Sequence, residues 1–217
     1  MLVRMDWLPI SAALLVTGAL ALCLGSFLLP SSDGTAETLR IVQHQGGQWL
    51  TVAAILFLAS VCLTLGLPTI FTLFDRRGWA LALVSAIVLE IGFIGTAGFS
   101  MLMVFFRSLV ITDALSHQGL EDATSEAGLT VFLIGWIAAL YLGELLLGVA
   151  LLRARATPRW VPLALIAHAV SVLFAPLLPE PASKALILLL VAGFCGIAIQ
   201  ATSPGTLRRS GGARSGL

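Results

Sequence analysis

Glu90, Glu144 and His168 are the residues of this 217-residue chain best suited to do chemistry, because each is an ionisable group inside a long apolar stretch. Glu90 is the single charge in the 27 residues from Ala80 to Phe106. As a helix that stretch is about 40 Å long, more than the ~30 Å of a bilayer's hydrocarbon core. A carboxylate there is expensive, and such groups usually face a bundle interior and carry function. Helical spacing adds neighbours: Tyr141 lies three residues before Glu144, and Ser171 three after His168, so each pair shares a face. Gly148, four residues after Glu144, lets another helix or a ligand approach closely. Leu83, Ala86, Ala97 and Met101 share the Glu90 face. The two alanines leave room there, and Leu83 and Met101 close it above and below.

The chemistry these types offer is proton transfer in an apolar setting. A neutral carboxylic acid can donate towards a poor base such as an alkene, and a second carboxylate or a neutral imidazole can accept at the end. Aromatic faces stabilise a developing cation, and Phe93, Phe99, Trp136, Tyr141 and Phe174 are the candidates. The expected roles are Glu90 as acid, Glu144 with Tyr141 as second acid or cation stabiliser, and His168 as final base or orienter. The expected substrate contacts are Phe93, Ala97, Met101, Trp136, Gly148, Ser171 and Phe174. The plainer role for the same groups is helix packing, for Glu90 a hydrogen bond to Ser85, Thr64 or His168.

Composition sets the elements that must position them. The chain is 59% hydrophobic and 11% charged, with a mean hydropathy of +1.03, against about 25% charged residues in soluble domains. Six apolar segments follow, at about 8–29, 49–74, 79–106, 129–152, 160–178 and 185–201, so the expected fold is all-α, a single six-helix transmembrane domain over residues 1–202. The first segment is too long for the ~7–15-residue core of a signal peptide and reads as a retained span. Residues 203–217 read as a disordered tail. Arg4, Arg76, Arg77, Arg153, Arg155, Arg159, Arg208, Arg209 and Arg214 fall in one set of alternate loops, and Arg40, Arg107 and Lys184 in the other. Nine against three places both termini in the cytoplasm, for a multi-pass protein of the plasma membrane.

The remaining signals are weaker. Trp7, Trp49, Trp79 and Trp160 fall at span ends, where amphipathic rings anchor at the interface. Gly92, Gly95 and Gly98 recur every third residue of a span and read as close packing. Pro68 and Pro176 are expected to bend or end their helices and free carbonyls. Cys23, Cys62 and Cys195 lack neighbours at metal-ligand spacing and read as packing residues. His44 and His117, with Asp33, Glu37 and Glu121, lack diagnostic spacing, so no metal and no cofactor is expected. Basic runs interleaved with aromatics are absent, which argues against nucleic acid.

The stretches LLPSSD after the first span, QWLTVAAILFLASVCLTLGLP in the second and GVALLRARATPRWVPLAL across the fourth loop resemble the small six-span membrane proteins of high-GC bacteria. In size and topology the chain is also similar to bacterial membrane-bound terpene cyclases of meroterpenoid pathways. That resemblance implies protonation of a prenyl chain or its epoxide by an intramembrane acid, with the bilayer and a prenylated lipophile as partners. It carries over no catalytic residue. The absence of an Asp-rich diphosphate motif favours protonation over ionisation. Two functions are therefore in play: a membrane-embedded cyclase or isomerase, or a small transporter, immunity or scaffold protein whose buried acids carry protons or pack helices. A closed apolar cavity with an acid on its wall separates the first from the second.

Overall fold

A computed structural model describes residues 7–31, 34–74, 78–114, 119 and 126–203. The tail beyond Ser203, the Asp75–Arg77 turn, and Arg4, Asp33, His117 and Glu121 of the sequence reading lie outside the described residues. The described chain is helical throughout, with no strand. In order it forms α1 (Trp7–Leu28), α2 (Thr35–His44), α3 (Gly46–Gly66), α4 (Pro68–Phe71), α5 (Trp79–Ile111), α6 (Ala127–Ala154) and α7 (Trp160–Ser171). A 3₁₀ turn (Ala175–Leu177), α8 (Glu180–Ala185) and α9 (Ile187–Thr202) complete it.

Five stretches are long and apolar enough to cross a membrane: Trp7–Leu28, Gly46–Phe71, Trp79–Ile111, Ala127–Ala154 and Glu180–Thr202. Their outward faces carry Leu20, Phe57, Ile94, Phe105, Val131 and Ile199, all exposed. An apolar exterior on this scale suits a membrane protein. The expected span 160–178 differs. Its helix stops at Ser171 after 12 residues, about 18 Å. Pro176, in the 3₁₀ turn that follows, has no N–H with which to continue an α-ladder. The polar segment 30–48, read as a loop, contains α2, whose Ile41 and Val42 are buried where it packs on α3 and α5.

The long helices form a closed ring in the order α1, α3, α5, α6, α7, α9 and back to α1. Small residues let the backbones close up. A Cβ on Gly66 would lie 2.6 Å from Leu15 Cα, one on Gly92 2.9 Å from Leu140 Cα, and one on Gly143 2.8 Å from the Leu89 nitrogen. The expected close packing at Gly92 and Gly95 is therefore the α5–α6 seam, whereas Gly98 is exposed beside the Phe132 ring. Pro68 breaks the α3 ladder, and the Ser11 hydroxyl answers by donating to the Leu65 and Gly66 carbonyls at 3.0 and 3.1 Å, while Thr69 donates to Ser11 at 2.9 Å. This satisfies carbonyls that would otherwise be orphaned in an apolar interior. The short α4 beyond the break touches α1, α3, α5 and α9, and its Ile70 is fully buried, so it closes one end of the ring. Of the expected anchors, Trp7, Trp79 and Trp160 are exposed, while Trp49 donates its Nε1–H to the Met103 carbonyl at 2.9 Å and ties α3 to α5.

Candidate functional site

Glu144 lies on the inward face of α6, one residue past the Gly143–Leu89 contact that holds α6 against α5. It is fully buried, and its Oε2 is 2.6 Å from His168 Nδ1 on α7. Gly148 makes this approach possible: a Cβ there would lie 2.6 Å from Ile166 Cγ1 and 3.1 Å from the Pro162 carbonyl. A carboxylate can only accept, so with Glu144 ionised Nδ1 carries the shared proton and Nε2 is the nitrogen left free. The second Glu144 oxygen, Oε1, is buried without a partner among the described residues.

His168 presents its ring to a cavity of about 280 Å³ among the six ring helices. Leu22, Ser26 and Leu29 enter from α1 and the segment beyond it, Leu56 from α3, Thr96 and Phe99 from α5, and Trp136, Ile137, Leu140 and Tyr141 from α6. Ser171, Val172 and Ala175 follow from the end of α7, and Ser183, Lys184, Leu186, Ile187 and Leu190 from α8 and α9. The Tyr141 ring lies 5.4 Å from the His168 ring, tilted by 33°. Trp136 and Phe99 form a second aromatic pair 5.7 Å apart, and the Trp136 Nε1–H is buried without a partner among the described residues. Ser171 donates to the His168 carbonyl at 2.6 Å, bracing the turn that carries the imidazole. Lys184 stands where α8 meets α9, with its ammonium 2.8 Å from Glu180 and 3.1 Å from the Leu29 carbonyl.

The structure thus gathers five of the expected residues, Phe99, Trp136, Tyr141, His168 and Ser171, around one cavity, with Glu144 immediately behind the imidazole. It separates Glu90 from them. Glu90 is half-buried between α5 and α3, where Thr64 donates to its Oε1 at 3.0 Å and Oε2 is left without a partner among the described residues. This is one of the packing bonds the sequence offered.

The other expected substrate contacts lie elsewhere. Phe93 is fully buried in the core, with its carbonyl accepting from Ser60, and Gly148 is filled by α7. Ala97 is half-buried outside the cavity lining. Met101 and Phe174 are 62% and 55% exposed on the outer surface, since their helical positions turn them away from the ring's centre. Sequence reasoning missed Ser26, Ile137, Leu140, Val172 and Lys184. Lys184 had a usable signal, a cation one turn before an apolar run, but Ser26 and the three aliphatic residues carry none. No protein-family model, no curated protein and no solved structure matches the chain.

Proposed function

We propose that this chain is a multi-pass protein of the plasma membrane, crossing six times with both termini cytoplasmic, and that its cavity is the active site of an enzyme moving a proton on a lipophilic substrate. The arginine bias supports the orientation. The place of α7 between α6 and α9 supports a sixth crossing: its 18 Å of helix, continued to Leu177 through Val172–Phe174 and the 3₁₀ turn, comes to roughly 30 Å at 1.5–2 Å per residue.

The observation that carries the reading is the buried Glu144–His168 pair, with the imidazole on the wall of a mainly apolar cavity that also holds aromatic rings. In that arrangement Glu144 engages Nδ1 of His168 and orients the ring, so proton transfer to or from a substrate runs through Nε2. A protonated imidazole is far too weak an acid for an unactivated alkene but suited to an oxygen that is released as it is protonated. The favoured substrate is therefore the epoxide of a prenylated compound. The Nε2 proton goes to the epoxide oxygen as its C–O bond breaks, a chain alkene attacks the carbon left electron-poor, and the final cation returns a proton to Nε2. The net change is a cyclising isomerisation. Tyr141, Trp136 and Phe99 offer ring faces to the passing cation. The role expected of Glu90 passes to His168, and Glu90 itself becomes a packing group. The cavity has the mainly apolar lining expected of an enzyme site, with His168 on its wall where an acid was expected.

The test is turnover in membranes supplied with a prenylated aromatic compound or its terminal epoxide, with products followed by mass spectrometry. His168→Gln and Glu144→Gln should each lower the rate by about 10²–10⁴-fold, Tyr141→Phe should cost less, and Glu90→Gln should leave it unchanged. Full activity in His168→Gln overturns the assignment, and a wild type that converts no lipophile overturns the enzyme class.

A further inference from the structure

Two of the residues that line the cavity are among the exposed ones: Ile137 on α6, at 39%, and Val172, the residue after α7, at 36%. They belong to neighbouring members of the ring. The early end of α7 bears on what covers the cavity there. Below Ser171 the α6–α7 seam is packed by Gly148 against Pro162 and Ile166. Beyond it, the half of α6 from Ala127 to Ala139 has no fully buried residue. Ile137 is ten residues into α6, about 15 Å along it, and Val172 is about 18 Å from the start of α7. Both distances fall near the middle of a ~30 Å hydrocarbon layer. Both rims are aliphatic.

We infer that the cavity is loaded sideways from the bilayer interior, through the gap between Ile137 and Val172, by a molecule dissolved in the hydrocarbon layer. An aliphatic rim at mid-depth passes an uncharged chain and stops a charged headgroup, whose desolvation the rim does nothing to offset. The ligand class is then a neutral chain, not a phospholipid and not a prenyl diphosphate. The inner wall adds one requirement. The Trp136 Nε1–H lacks a partner among the described residues, and His168 and Tyr141 bring further polar hydrogens to the same space. The molecule therefore carries an oxygen able to accept a hydrogen bond. This deepens the reading of the cavity as an active site and rests on it for the identity of the reacting oxygen, while the route itself rests on exposure and packing alone.

The experiment uses the full chain in phosphatidylcholine vesicles with a headgroup-free alkyl ketone bearing a photoreactive diazirine, and peptide mass spectrometry to locate the adducts. Adducts should form on Trp136 and Tyr141 as well as on lipid-facing Ile134. Ile137→Trp with Val172→Trp, both substitutions at exposed positions, should remove the inner adducts and leave those at Ile134. His168→Gln should keep all of them, because it blocks chemistry and not loading. Hydroxyl radicals generated in the water should spare Trp136 and Tyr141 while oxidising exposed Trp160. Inner labelling that survives the double tryptophan variant, or radical oxidation of Trp136 as fast as of Trp160, overturns sideways loading. Gated labelling without turnover of any prenylated compound would leave loading intact and remove the proposed reaction. Dyad-dependent turnover without labelling would do the reverse.

Discussion

Glu90 and Glu144 sit beside the same contact and end in different chemistry. Leu89 of α5 meets Gly143 of α6 across the seam, and the next residue on each helix is a glutamate. Glu90 turns towards α3 and takes a hydroxyl from Thr64. Glu144 turns towards α7, is fully buried, and takes the imidazole of His168 at the back of the cavity. One is a neutral-partner bond at a packed seam, the other an ionisable pair next to open space. The partner, more than the carboxylate, decides which position can hold a proton and deliver it.

The sharpest break of this comparison is truncation. Glu144→Ala leaves a buried imidazole with no carboxylate, and losing one member of a buried pair costs about 3–5 kcal/mol. Unfolding of the full chain in micelles by a denaturing detergent should show that loss. His168→Ala should match it, and the double variant should be less damaged than the sum, because no orphaned group remains. A Glu90→Ala variant as unstable as Glu144→Ala would erase the distinction.

A smaller effect is expected from the seam between them. Gly143→Val drives a side chain into the Leu89 backbone, 2.8 Å from where its Cβ would stand, and overpacking of this kind costs about 1–3 kcal/mol. It also moves Glu144, the adjacent residue, so turnover should fall further than stability. Gly98→Ala is the control, since its Cβ would meet only the edge of the Phe132 ring at 3.3 Å. Equal losses in the two variants would mean that the α5–α6 spacing does not set the site.

The place of each group along its own helix was legible before any coordinates, because the rise per residue is fixed. That much put Glu90, Glu144 and His168 inside long apolar stretches. Direction was not legible. Each residue turns the helix by about 100°, and without knowing which helices are neighbours no spacing says which face is inward. Glu90 was therefore grouped with a pair it does not touch, and Met101 and Phe174 were given to a cavity they face away from. Tyr141 and Ser171 were placed well for the opposite reason, since spacing of three along one helix needs no knowledge of neighbours. The helix α2 escaped notice because, among its residues whose side chains are described, only Ile41 and Val42 are buried, too few for a periodic signal. The early stop of α7 was half-visible in Pro176, yet what lies beside it depends on how α6 runs past it.

The hydroxyl at Glu90 should matter least among the membrane-embedded bonds. Hydrogen bonds between membrane helices average about 0.6 kcal/mol in mutant cycles, and Thr64→Val should cost roughly that in the same detergent titration. Turnover should be unaffected. A cost several-fold larger, or any loss of activity, would give Glu90 a part in the site.

The finest comparison lies within α6, which carries a second glutamate at its other end. Glu126 caps the helix, with Oε2 accepting from the Leu129 amide at 2.8 Å. The backbone amides of Gly128 and then Leu129 hold its carboxyl below the ordinary carboxylate range. A depressed value means that the capping contribution is fully present above the unfolded pKa, near 4.3, and is lost as pH falls through the lower folded value. Hydrogen exchange at Leu129, corrected for the intrinsic rate, should therefore accelerate as the medium is taken from neutrality to strong acid. In Glu126→Ala it should be fast throughout and independent of pH. The Glu144–His168 pair, well along the same helix from Glu126, should be indifferent to this substitution: turnover at neutral pH in Glu126→Ala should equal the wild type. If exchange at Leu129 is flat with pH, the cap contributes nothing. If losing it lowers turnover, the N-terminal end of α6 helps to hold the wall of the cavity, and the two ends of the helix are not independent.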